Sequence, residues 1–301
     1  MLTFTGLRNL YGDLTNDNST TNLTLGDTLL NNSIRKIISS HDWDFLEKTR
    51  SISTIASQQF YQLPEDFHKL ISVTVTISTT VYTPVEISSR EQWDILNQST
   101  NVTSNTPEFF YVFENQLGFY PKPTSTTTNG ITYIYKRNVR DLSRADFSTG
   151  TILTATNGST ALVGTTTAWV ANFIGRFIRI TNTDIANTGD GVWYEISTVP
   201  SATSITLSKN YNGTSIVAGT ATYLIGEVGI LPENFQILSV YDAVAIYYQR
   251  RGEATQAREW ERKYNEMLKQ LKTEHGSKST SVSVLESDNI SQKNSNLYVT
   301  L

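Results

Sequence analysis

Apolar residues recur at two different periods along this chain, and the changes of period mark out its parts. Near the end, Trp260, Tyr264, Met267, Leu268 and Leu271 fall at i, i+4, i+7, i+8 and i+11, which is one apolar stripe on a helix. The stripe belongs to a helical block running from Pro232 to Leu271. Glu253 follows Gly252 at the start of the second helix, Lys269 and Lys272 lie in its last turns, and Glu259 is one turn from Lys263. That polarity suits the helix dipole and an i,i+4 ion pair. The upstream half, Phe235 to Tyr248, is apolar on more than one side, so it is expected to lie between neighbours, either in this chain or in other subunits. A third helix is read near the N-terminus, where Thr24-Leu-Gly-Asp-Thr28 leads into Leu29, Leu30, Ile34, Ile37 and Ile38 and the pattern stops at Ser39-Ser-His-Asp42.

Between these helices the period falls to two. Thr49 to Ile55 and Gln59 to Leu63 read as strands paired with each other, and Leu63-Pro-Glu-Asp-Phe67 reads as a turn with one helical turn behind it. Leu70 to Ile77 and Val81 to Ile87 continue the pattern. Ser88-Ser-Arg-Glu91 then opens a short helix carrying Trp93 and Leu96, and a Ser/Thr/Asn loop follows. Pro107 to Phe113, Gly118 to Pro121 and Ile131 to Tyr135 complete a meander with helices at its margin. From Thr149 the texture changes to short strands at Thr151 to Ala155, Ala161 to Val163, Phe177 to Ile180, Val192 to Ile196, Ser204 to Leu207 and Thr220 to Ile225. Turn residues recur every 8 to 12 residues or so, as in a small all-β domain, with Trp169, Phe173, Phe177 and Trp193 expected in its core. Gly276 to Leu301 is Ser/Asn-rich and ends in Leu297-Tyr-Val-Thr-Leu301, read as a flexible arm with an apolar docking tip. The fold class expected is therefore α+β. It comprises a core of helices and β meander (1–147 and 228–275), an inserted all-β domain (148–227) and the arm (276–301).

Composition narrows the function. Charged residues make up 17% of the 301, and the formal net charge is −4 with a pI near 5.5, so no global basic field draws the chain to nucleic acid or an anionic membrane. There is no cysteine, which removes disulfides, thiolate metal sites and cysteine nucleophiles together. The N-terminal stretch lacks the basic start and apolar run of a signal peptide, and no window approaches the ~18 apolar residues of a membrane span. A soluble protein, intracellular when made, is expected. Asn-x-Ser/Thr triplets at Asn22, Asn101, Asn157 and Asn212 then reflect a Ser/Thr/Asn-rich composition, not glycosylation.

The search for chemistry returns little. No phosphate-cradling GxxxxGK[ST] run is present, and His41, His68 and His275 are scattered with no HExxH. His41-Asp42-Trp43-Asp44 and Glu65-Asp66 beside His68 could be drawn as acid/base clusters. They read better as turn caps, with Trp43 and Phe45 filling the core. Asp184, Asp190 and Glu195 could ligate calcium, but Thr188-Gly-Asp-Gly191 is first a hairpin turn. No catalytic, cofactor-binding or metal-ligating residue is therefore assigned, and an enzyme is not expected. Basic residues cluster at Lys136, Arg137, Arg140 and Arg144, and again at Arg250, Arg251, Arg258, Arg262 and Lys263. The bland reading of both is a solvated surface. Local basic groups on an acidic body are also what a channel that lets DNA slide would carry, since a strongly basic wall would trap the polymer.

Taken in order, an N-terminal helix, Trp43-Asp-Phe45 opening a meander, Phe60 to Phe67, Phe119-Tyr-Pro-Lys-Pro123, the closing Tyr133-Ile-Tyr-Lys136, Leu231-Pro232, and the helix pair Ala245-Ile-Tyr-Tyr-Gln-Arg-Arg-Gly-Glu-Ala-Thr-Gln-Ala257 with Trp260-Glu-Arg-Lys-Tyr264 resemble the head-to-tail connector (adaptor) proteins of tailed bacteriophages, in particular short-tailed phage adaptors and tail-tube rings. The resemblance covers about residues 1–145 and 228–275, and the β insert departs from it. It implies a virion protein at the head–tail junction, a dodecameric ring beneath the portal around the DNA exit channel, an arm reaching the portal, and a β part facing the next tail protein. Its implied partners are further copies of itself, the portal, that tail protein and passing double-stranded DNA, with no membrane. Tyr247, Tyr248, Arg250, Arg251, Trp260 and Tyr264, with Leu297, Tyr298, Val299 and Leu301, are the candidate interface residues. Lys136, Arg137, Arg140 and Arg144 are the candidates for the DNA channel. The alternatives are another tail component, such as a hub or tube subunit, or a glycan-binding virion protein using Trp169, Trp193 and Tyr194 as a sugar platform.

Overall fold

In a computed structural model that describes residues 1–77, 79–98, 106–181, 189–217 and 219–276, the chain is α+β and packs as two compact units, one of residues 1–42 with 141 onward and the other of residues 43–140. The first unit opens with a helix absent from the sequence reading, α1 (Phe4–Thr15). Thr3 caps it by accepting from the Gly6 amide, and Asn16 ends it in the left-handed conformation (φ 52°). Phe4, Leu7 and Tyr11 form its buried stripe. The next helix, α2 (Thr20–Ser39), begins at the cap Ser19, whose hydroxyl accepts from the Asn22 amide, and so starts a turn earlier than Thr24. Tyr11 is fully buried between the two helices, where its hydroxyl donates to Asn22 at 3.0 Å. Gly26 of α2 faces that ring so closely that a Cβ there would lie 2.4 Å from it.

The second unit holds the meander. Its strands are β1 (Glu47–Ile52), β2 (Phe60–Gln62), β3 (Phe67–Ile77), β4 (Thr80–Tyr82) and β5 (Val85–Glu86). After the helix α3 (Arg90–Gln98) come β6 (Phe109–Phe113), β7 (Gln116–Tyr120) and β8 (Ile131–Arg137). They form two four-stranded sheets, ordered β1-β8-β3-β4 and β2-β7-β6-β5. The first two strands are therefore not partners: β1 pairs with β8 and β2 with β7. Leu63 to Asp66 is a turn leading straight into β3, without the helical turn expected there. Glu114 and Asn115, at φ 46° and 59°, make the tight β6–β7 hairpin with the twist such turns need. Alternation puts Tyr61, Val73, Val75, Leu117, Phe119, Ile131, Tyr133 and Tyr135 into one core between the sheets.

Returning to the first unit, β9 (Thr151–Ala155), β10 (Ala161–Thr165), β11 (Phe177–Ile180), β12 (Trp193–Ser201), β13 (Ser204–Leu207) and β14 (Tyr223–Gly226) fall where the alternation placed six strands. They form one sheet ordered β14-β11-β12-β13-β10-β9. Ile216 and Ala221, just ahead of β14, bridge back to Ala155 and Ile152 of β9, so the sheet curls toward closure around its own core. Trp169 and Phe173 lie in that core, whereas Phe177 and Trp193 are only half-buried. The chain then enters α4 (Leu238–Arg250), turns at Gly252 (φ 76°), and finishes the described part with α5 (Ala254–His275). As its pattern required, α4 is buried on several sides, packing on α1, α2 and α5. Along α5, Tyr264 and Leu271 are buried and Trp260, Met267 and Leu268 half-buried.

Candidate interaction surfaces

The helical block is locked from within by polar contacts as much as by apolar ones. Asp242 of α4 is nearly sealed (side chain 6% exposed), and Lys36 of α2 reaches it at 2.6 Å while also lying over the Tyr264 ring, 4.8 Å from its centroid. Burial pushes the Tyr264 hydroxyl up to about 12, so it stays protonated at physiological pH. Tyr247 is buried as well, edge-on to Tyr11 with centroids 6.1 Å apart, and its hydroxyl accepts from Arg251 at 2.8 Å. Tyr247 and Tyr264 thus pack inside this block, not on its surface.

Four of the expected interface residues lie further out. Tyr248 is half-buried and donates to the Leu14 carbonyl at 3.2 Å. Trp260 is half-buried against Tyr241, with Lys263 over its ring at 4.0 Å. Arg250 is exposed, and Arg251 is exposed and ion-paired with Glu253 at 2.9 Å. The outer face of α5 is charged and pairs with itself, Arg262 with Glu266 and Lys263 with Glu259. Leu297, Tyr298, Val299 and Leu301 lie outside the described residues.

The basic residues assigned to a channel have unlike surroundings. Lys136 is buried, its ammonium donating to the Trp43 carbonyl at 3.0 Å with Glu47 3.8 Å away. Arg137 is half-buried and reaches the Phe45 carbonyl at 3.5 Å. Arg140 is exposed and pairs with Glu65 at 2.5 Å. Arg144 belongs to the other unit, where it donates to the Asn172 carbonyl and its amide meets the Glu227 carboxylate at 2.8 Å.

The acid/base clusters drawn from the sequence have structural partners. Asp66 accepts from the Tyr135 hydroxyl at 2.8 Å and from Lys48 at 3.2 Å. Burial works to raise its carboxyl, but those two hydrogen bonds and the nearby Lys48 and Arg137 charges outweigh it and hold the carboxyl below the usual carboxylate range. A depressed folded value means that the contribution is present at neutral pH and is lost as pH falls through the acid range. Asp66→Asn should therefore cost about 1–2 kcal/mol at pH 7, the scale of charge-assisted hydrogen bonds. The gap from wild type should shrink below about pH 4, near the unfolded carboxylate value; thermal melts at pH 7 and pH 3 read this directly, and a gap that widens in acid would contradict it.

Asp190 accepts from the Tyr194 hydroxyl and from the Val192 amide, as a turn carboxylate does; Asp184 lies outside the described residues. Among the described residues no group of three His, Asp or Glu is placed to hold a metal ion. Trp169 and Tyr194 are buried, and Arg179 sits 4.9 Å over the half-buried Trp193 ring, so the three offer no open sugar-stacking face. A shallow cavity of 290 Å³ lies beside α2, and several of its lining groups are already paired: the Asn31 side chain exchanges hydrogen bonds with the Leu142 amide and carbonyl, both 2.8 Å, and Arg35 pairs with Asp141.

One surface was not singled out from the sequence. On the outer face of β2-β7-β6, Phe60, Trp93, Tyr111 and Phe113 form a chain of ring contacts, with Arg90 4.6 Å over Phe113. Gly118 leaves room for the Trp93 and Phe60 rings, since a Cβ there would come within 3.0 Å of both. The available signal was that Phe109 to Phe113 is apolar on both faces, which a strand with one solvated face would not be.

The model of the family described as SU10 adaptor protein matches residues 2–158, from α1 to the end of β9 and slightly beyond. That match, over just more than half of the chain, gives its class, a phage adaptor and hence a component of the virion. More particularly, it belongs to the SU10 adaptor protein family. No curated protein gives a significant match. No described helix is long and apolar enough to cross a membrane.

Proposed function

We propose that the chain is the subunit of a dodecameric ring that joins the portal to the tail and surrounds the DNA exit channel, acting by assembly and not by catalysis. Membership of the adaptor family across residues 2–158 is the observation that carries this reading. Ring closure needs heterologous contacts, in which one face of a subunit meets a different face of the next. The charged outer face of α5 and the Tyr248, Arg250, Arg251 and Trp260 neighbourhood supply one such face. In this reading the partners are copies of the chain, the portal, the next tail protein and, without sequence preference, passing double-stranded DNA. The module 148–227 decorates the connector core of 1–147 and 228–275, and the arm 276–301 reaches the portal.

The net charge of −4 supports a wall that DNA slides past, with the exposed Arg140 a better channel residue than the buried Lys136. Replacing Arg250 and Arg251 together with Glu reverses two charges on the proposed contact. It is expected to leave a folded monomer that no longer sediments with portal rings, while the wild-type chain does; co-sedimentation equal to wild type would remove that surface from the interface.

A further inference from the structure

The β9–β14 module leaves and rejoins the helical part of its unit through one joint. Phe147 on the way in and Ile225 on the way out exchange both backbone hydrogen bonds at 2.8 Å. Val228 then bridges to Thr3, and the Phe4 amide donates to the Glu227 carbonyl at 2.7 Å. The two tethers of the module and the start of α1 are thus paired side by side.

Charged groups seal this joint. Arg176 of the module is 4% exposed and donates to the Ala145 carbonyl at 2.6 Å and the Ile225 carbonyl at 3.3 Å, one on each tether. The Glu227 carboxylate accepts from the Ser143 and Arg144 amides at 2.6 and 2.8 Å, and the Arg144 side chain donates to the Asn172 carbonyl of the module. Turning the module on its tethers would strip a buried guanidinium of its acceptors, which is costly.

Thr3 is where the two parts meet. Its hydroxyl accepts from the Gly6 amide at 3.2 Å, which caps α1, and donates to the Asp146 carboxylate at 2.8 Å. One hydroxyl can do both at once, because it has a proton to give and lone pairs to accept with, and each bond polarises the other. The Asp146 amide adds a bond to the Thr5 hydroxyl at 3.1 Å. Gly226 lies flat on this pair: a Cβ there would fall 2.3 Å from the Thr3 methyl carbon and 3.0 Å from Asp146 Oδ1.

We propose that Thr3 and Asp146 form a coupling device, in which one hydrogen-bonded pair holds both the first turn of α1 and the seat of the β9–β14 module, so that neither loosens alone. The inference does not rest on the ring reading, since every contact lies within one chain.

Amide exchange of the full-length protein, read residue by residue, tests it from both sides. In Asp146→Ala the Gly6 amide keeps its own acceptor, yet its exchange should quicken about tenfold, the scale of one net hydrogen bond, together with that of Phe147. Faster exchange at Phe147 with Gly6 unchanged, or no change at either, would overturn the coupling. Thr3→Val should quicken Phe147 and Ile225, on the module side, by a similar factor, and Thr3→Ser, which keeps the hydroxyl, should restore wild-type rates there. Equal rates in the Val and Ser variants would mean that the hydroxyl does not hold the seat, and would overturn the proposal as well.

Discussion

Alanine at Gly26 is expected to destabilise the helical block by about 2–3 kcal/mol, near the upper end of the usual overpacking cost. Propensity alone predicts the opposite sign, a gain of about 1 kcal/mol for Gly→Ala within a helix. Sterics should win because the new Cβ would lie 2.4 Å from Tyr11 Cδ1 and 2.5 Å from Cε1, distances that real side chains do not adopt. Nor can the ring step aside: Tyr11 is fully buried, its hydroxyl is held by Asn22, and Tyr247 abuts it edge-on. The helices α1 and α2 would have to separate. A urea midpoint below wild type with an unchanged slope would show the loss, and a double-mutant cycle would locate it. In a Tyr11→Ala background the same Gly26→Ala change should become neutral or stabilising, whereas stabilisation by Gly26→Ala in the wild-type chain would mean that the close approach is absent.

Trp169→Ala should be at least as costly within the β9–β14 module, about 3–5 kcal/mol as for large aromatic truncations in cores. The residue is 2% exposed, packs edge-on to Tyr223 at 5.7 Å between centroids, and donates its indole N–H to that hydroxyl at 2.9 Å. Truncation opens a cavity and takes a donor from a buried hydroxyl at once. Trp193→Ala, by contrast, removes a half-buried ring under Arg179 and should cost about 1 kcal/mol, the scale of one cation–π contact with modest burial. Denaturation followed by tryptophan fluorescence compares the two, and equal losses would contradict the division of roles drawn between these side chains.

The β9–β14 strands were legible because each carries its own alternation and is bounded by Gly, Asn or Ser turns, all of it local information. Pairing is not local: the alternation marked β1 and β2 as strands, but their partners β8 and β7 lie well downstream, and nothing in period two names a partner. The helix α1 carries Phe4, Leu7 and Tyr11 at i, i+3 and i+7 behind a Thr cap, a stripe of only three residues. The surfaces were less legible than the fold. Tyr247 and Tyr264, placed among the candidate interface residues, pack inside the helical block, and Lys136, placed among the channel residues, is buried because the Trp43 carbonyl and Glu47 receive it. Burial of a single polar residue depends on which backbone oxygen a distant segment presents, and sequence period carries no trace of that.

The proposed closed ring at the portal is open to electron microscopy of the purified chain, alone and mixed with portal rings, classified for rotational symmetry. Closed rings of twelve copies that form on or are stabilised by the portal are expected, with the β9–β14 module as a repeated feature on each copy. A chain that stays monomeric and leaves portal rings undecorated would contradict it.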